Sequence, residues 1–79
     1  SRGMRACRPR SSFIDRIVFD ETGGVLTVSG GGRRRYAYYE VPRELYDQLC
    51  RAVSAGQFFN ERIKGRFACR DVGERRRFR

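Results

Sequence analysis

At Pro42 the sequence changes its period. Before it, short runs rich in β-branched and aromatic residues are broken by glycines; after it, apolar residues recur at helical spacing. "FIDRIVFD" (13–20) is followed by a turn at Gly23-Gly24, "VLTVS" (25–29) by a turn at Gly30-Gly31-Gly32, and "RRRYAYYEV" (33–41) by Pro42. Glycine pairs supply the positive-φ positions of hairpin turns, so these runs predict three antiparallel strands in a meander. Alternation puts Phe13, Ile17 and Phe19 on one face of the first strand, with Ile14 and Val18 on the other. In the third strand it puts Tyr36, Tyr38 and Glu40 on one face and Arg35, Ala37, Tyr39 and Val41 on the other.

Proline is suited to the first turn of a helix, and Glu44 favours the positive end of the helix dipole. Leu45, Leu49, Ala52 and Val53 form one stripe, widened by Tyr46 and Cys50, and Gly56 reads as the stop. "QFFNERIK" (57–64) predicts a second short helix or turn, and "RFACRDV" (66–72) leaves a further short strand open. The expected fold is α+β: an antiparallel meander of three or more strands, followed by one or two helices packed on one face.

Seventy-nine residues support a single domain. The net charge of +9 is concentrated at the ends. Residues 1–10 hold +4 and residues 73–79 hold +3, which leaves +2 for residues 11–72. A disordered basic arm (1–10), one domain (11–72) and a disordered basic tail (73–79) are therefore expected. Ser1-Arg2-Gly3 ahead of Met4 resembles a cloning remnant. Arginine outnumbers lysine 17 to 1. Cys7, Cys50 and Cys69 include no C-x-x-C pair, and there is no histidine, so no metal site is expected. Cys50 reads as a small core hydrophobe and a reducing cytoplasm as the natural compartment. No apolar run is long enough to span a membrane.

The functional signal lies in "RRRYAYY" and the tails. Unpaired bases stack on aromatic side chains, and arginines beside them reach phosphates. Candidate nucleic-acid contacts are Arg33, Arg34, Arg35, Tyr36, Tyr38 and Tyr39, with Arg75, Arg76 and Arg77 in the tail. The competing reading puts Tyr36 and Tyr38 under the helix as core, leaving Arg35 and Tyr39 better placed for exposure. "SGGGRRR" lacks the G-K-[ST] of a phosphate loop and leads into a strand, so it reads as a hairpin. No nucleophile, base and stabiliser set is discernible; the chain reads as non-catalytic, with no cofactor and no small-molecule substrate. An exposed strand edge offers self-association or protein interaction as the alternative function.

Together these segments resemble the KTSC domain, found at the C-terminus of some lysyl-tRNA synthetases and as a small stand-alone bacterial protein. Ser12-Phe13-Ile14 matches its leading S-x-I, Tyr36-Ala37-Tyr38 its Y-x-Y, and Val41-Pro42 the V-P that follows. The run from Ala52 to Asn60 matches its A-x-S-x-G-x-[FY]-[FY]-N. The resemblance covers residues 11–67 and departs from the family at "SGGGRRR", where a shorter turn is usual. It implies a bacterial module whose suggested partner is RNA, single-stranded or structured, an association drawn from the attachment to a synthetase.

Overall fold

The computed structural model describes residues 3–11, 13–30 and 34–74. Four strands, β1 (Met4–Cys7), β2 (Ile14–Asp20), β3 (Val25–Gly30) and β4 (Arg34–Tyr38), precede two helices, α1 (Arg43–Arg51) and α2 (Ala55–Arg62). A last strand, β5 (Cys69–Glu74), returns beside β4. The five strands form one antiparallel sheet in the order β1-β2-β3-β4-β5. The architecture is the expected α+β arrangement, with two more strands than the glycine turns alone define.

The β2–β3 turn is built from Asp20. Its carboxylate accepts the backbone N–H of Thr22 at 3.0 Å and of Gly23 at 3.4 Å, and its carbonyl accepts that of Gly24 at 2.8 Å. Gly24 lies at φ +68, where a side chain would be strained. Its carbonyl takes the N–H of Val41 at 2.9 Å, tying this turn to the start of the helical half.

One extra residue in β2 corrects the expected alternation. Ile14 opposes Gly30 and Arg16 opposes Ser29, so Asp15 bulges out and the period-2 count restarts. Ile14 thereby joins Ile17 and Phe19 on the buried face, while Phe13 is 66% exposed. Leu26 and Val28 of β3 complete that face. Leu49 and Tyr46 of α1, with Ala55 and Ile63, close over it. Phe19 stacks on Tyr46 with ring centroids 5.0 Å apart.

The first helix is shorter than expected. It ends at Arg51, Ala52 is extended, and Val53 is 84% exposed, so the buried stripe is Tyr46 and Leu49 without Val53. Ser54 acts as an N-cap, its Oγ accepting the N–H of Gln57 at 3.4 Å, and so starts a new helix in the expected C-terminal stop. Gly56 lies in the first turn of that helix because a Cβ there would meet the Phe13 ring at 2.9 Å and Ser11 Oγ at 3.2 Å.

The N-terminal segment, expected as a disordered arm, contains β1. Met4–Cys7 pairs with the outer edge of β2, whose backbone donors and acceptors would otherwise be free. Cys7 is joined to Cys50 of α1 by a disulfide, so Cys50 is half-buried and bonded where a free core thiol was expected. That bond also removes the free-cysteine premise behind the cytoplasmic expectation. At the other end, Gly73 and Glu74 belong to β5; residues 75–79 lie outside the described residues. The third predicted strand ends at Tyr38 because Glu40 takes a left-handed conformation (φ 58) before Pro42. No helix of the described residues is long and apolar enough to cross a membrane.

Candidate functional site

β4 divides the candidate residues between two faces. Tyr38 opposes Leu26 and Tyr36 opposes Val28, which places both tyrosines, and Arg34 by alternation, on the helix-covered side. Arg35 opposes Ser29 and Ala37 opposes Thr27 on the open side. Tyr39, just beyond the strand, is half-buried and donates its N–H to the Ala68 carbonyl at 3.0 Å. Arg33, Arg75, Arg76 and Arg77 lie outside the described residues.

On the covered side Tyr38 is core: it is 6% exposed and meets Phe59 edge-to-face, with centroids 5.4 Å apart. Burial, reinforced by the nearby Cys69 thiol, pushes its hydroxyl's pKa up. Tyr36 is 38% exposed. Arg34 is held by Asp71 at 2.5 Å. The Gly73 N–H, at 2.8 Å, and then Arg34 hold the Asp71 carboxyl below the usual carboxylate range. Arg34, Tyr36 and Tyr38 border a groove of about 820 Å³ between the sheet and α2. Ile14, Val28 and Tyr38 are its buried lining, Phe13, Tyr36, Phe59 and Phe67 its more accessible rings, and Arg34 and Lys64 its cations.

The open face has a different chemistry. Arg16, Ser29 and Arg35 lie in one row across β2, β3 and β4; Val18, Thr27, Ala37 and Arg70 lie in the next, ending on β5. Adjacent strands are about 4.8 Å apart, so Arg16 and Arg35 stand about 10 Å apart at the backbone. The ion pairs among the described residues use other arginines: Arg5 and Arg43 with Glu21, Arg43 with Asp47, and Arg34 with Asp71. Arg16, Arg35 and Arg70 take part in none of them, and the Arg35 Nε, shielded from solvent, has no hydrogen-bond partner among the described residues.

Of the sequence candidates, Arg34, Tyr36 and Tyr38 come together at the groove, while Arg35 stands apart on the other face. Arg16 and Arg70 were missed, as were Phe13, Phe59, Phe67 and Lys64. The array spans residues 16–70, and nothing local announces it; only the registers from β2 through β3 and β4 to β5 bring its members to one face. Among the described residues no group of three or more His, Cys, Asp or Glu side chains is arranged to hold a metal.

The architecture defines a small α+β module whose helices close one face of a five-stranded sheet, with no described helix on the other. The chain belongs to the KTSC domain family, whose family model matches residues 10–67. It is 40% identical over 57 residues to a protein of Tsukamurella paurometabola, covering 72% of this chain and 85% of that one. It is also 35% identical over 60 residues to a lysine–tRNA ligase of Trichormus variabilis, covering 76% of this chain but only 11% of the ligase. The crystal structure of a KTSC domain protein from Yersinia pestis superposes with a TM-score of 0.82 at 34% identity, covering 89% of this chain and 99% of that one.

Proposed function

We propose that this domain binds RNA without catalysing a reaction on it, and that the open sheet face is its phosphate-contacting surface. One observation carries the reading: the exposed Arg16 and Arg70 and the half-buried Arg35 share one face of the sheet with no carboxylate paired to them among the described residues. Guanidinium groups match phosphate oxygens bidentately, and a flat face with cations about 10 Å apart spans about three phosphates of one strand. The basic ends, including Arg75, Arg76 and Arg77, add sequence-independent attraction. Lysine–tRNA ligases with a similar segment supply an association with tRNA consistent with this reading.

Fluorescence anisotropy with a labelled RNA at several salt concentrations tests it. Replacing Arg16, Arg35 and Arg70 together with glutamine should reduce the slope of log affinity against log salt by about 2–3, close to one for each phosphate no longer neutralised. A slope equal to that of the unsubstituted protein would remove the open face from the interface.

A second reading, self-association, is favoured by the outer edge of β5, which no described strand covers and which carries the 38% exposed Val72. Sedimentation at high micromolar concentration should then show a dimer that Val72→Lys dissociates; a monomer throughout excludes it.

A further inference from the structure

The arginine array meets phosphates on one face, whereas the groove on the other face is lined mainly by rings. Its volume of about 820 Å³ is within the range of small-molecule sites. Two of its rings stand in water: Phe13 is 66% and Tyr36 38% exposed. Phe13 is nevertheless held in place. Ser11 Oγ accepts its N–H at 2.9 Å, and its ring lies against Gly56, close enough that a Cβ there would meet it at 2.9 Å. Burying such a ring would stabilise a small chain; here the backbone supports it at the mouth of a cavity.

The charges at the rim are unequal. Arg34 is engaged by Asp71, while Lys64 is exposed and has no ion pair among the described residues. The groove therefore complements a flat, largely apolar ring system carrying a single negative charge. Asn60, also in the lining, is exposed and offers an amide to a polar ring edge.

The two faces are also adjacent at one place. Cys69 and Arg70 are consecutive residues of the edge strand β5; Cys69 opposes Tyr38 on the groove side and Arg70 opposes Ala37 on the open side. A chain lying on the arginines has only this one strand to pass before it reaches the groove.

We infer that the groove is a pocket for one unstacked nucleobase of the bound RNA, with Tyr36 and Phe13 as its stacking rings and Lys64 as the contact for that nucleotide's phosphate. The inference rests on the RNA reading above and adds to it a requirement for an unpaired base. Stacking on such rings is tolerant of base identity, so the pocket selects single strands over duplexes more than one sequence over another.

The test uses the full chain with a single-stranded RNA and a duplex RNA of equal phosphate number, together with Tyr36→Ala, Phe13→Ala and Lys64→Gln. All three positions are exposed, and thermal melting of each variant checks the fold. Tyr36→Ala and Phe13→Ala should each weaken single-strand binding about 5- to 150-fold and leave duplex affinity and the salt slope unchanged. Lys64→Gln should lower the single-strand slope by about 0.7. The apolar dye anilinonaphthalene sulfonate, bound at the groove, should be displaced by the single strand and not by the duplex. Single-strand binding that survives both ring substitutions overturns the pocket while leaving the RNA reading intact. Equal losses on both RNAs, or dye that RNA fails to displace, also overturn it, the latter assigning the groove to an apolar ligand. Absence of RNA binding by the unsubstituted protein removes both.

Discussion

Leu49→Ala is expected to lower the unfolding free energy by about 2–5 kcal/mol, the usual range for removing a fully buried leucine and leaving a cavity. Leu49 is 0% exposed and joins Ile17, Phe19 and Leu26 of the sheet to Ala55 and Ile63 of the helical half in one cluster. A domain of this size has a total stability of about 4–12 kcal/mol, so the change removes a large part of it. Urea denaturation followed by circular dichroism measures the loss, with Val53→Ala as the control. Val53 was expected in the same stripe but is 84% exposed, and its truncation should change stability by less than about 0.5 kcal/mol. Comparable losses at the two positions would contradict the helix break at Ala52.

Reducing the Cys7–Cys50 bond should cost about 2–4 kcal/mol. The bond joins cysteines separated by 43 positions, and restricting so long a loop removes much of the unfolded chain's freedom. It also fastens β1, which has exposed side chains at Met4, Arg5 and Ala6 and pairs on one side only. A reductant should therefore shift the denaturation midpoint of the unsubstituted protein down and leave Cys7→Ser where it is. Thiol titration of the native oxidised protein should count one reactive group, the exposed Cys69, rising to three after reduction and unfolding. Three thiols at the outset, or a midpoint indifferent to reductant, would show that the bond does not form.

The parts of the fold legible in the sequence were those written locally. Gly23-Gly24 marks a hairpin wherever it stands between two β-rich runs, and Pro42 marks a change of element. What escaped was set by partners distant in sequence. The bulge at Asp15 is visible only once β2 is laid against β3, and it is what brings Ile14 to the buried face with Ile17 and Phe19. Ser54 and Gly56 carry both a helix-start and a helix-stop signal; the stop reading put Val53 inside, whereas the Ser54–Gln57 cap put it outside. The tyrosine question divided in the same way. Tyr38 is core, Tyr36 reaches the groove rim, and Arg34 and Arg35 alternate between faces, as any strand requires. The open-face array was illegible for a simpler reason: Arg16 and Arg70 are 54 positions apart.

The order of the strands sets where this module can be cut. The family match runs from residue 10 to residue 67, yet β1 ends at Cys7 and β5 begins at Cys69. A fragment trimmed to the match would keep both helices and the central strands but discard both borders of the sheet, the cystine, and Arg70. Its raw flanks, β2 on one side and β4 on the other, would present unpaired backbone to any neighbouring chain. Transplanting the unit into another protein therefore calls for a segment running from Gly3 through Glu74, with the joining peptides attached outside the two border strands.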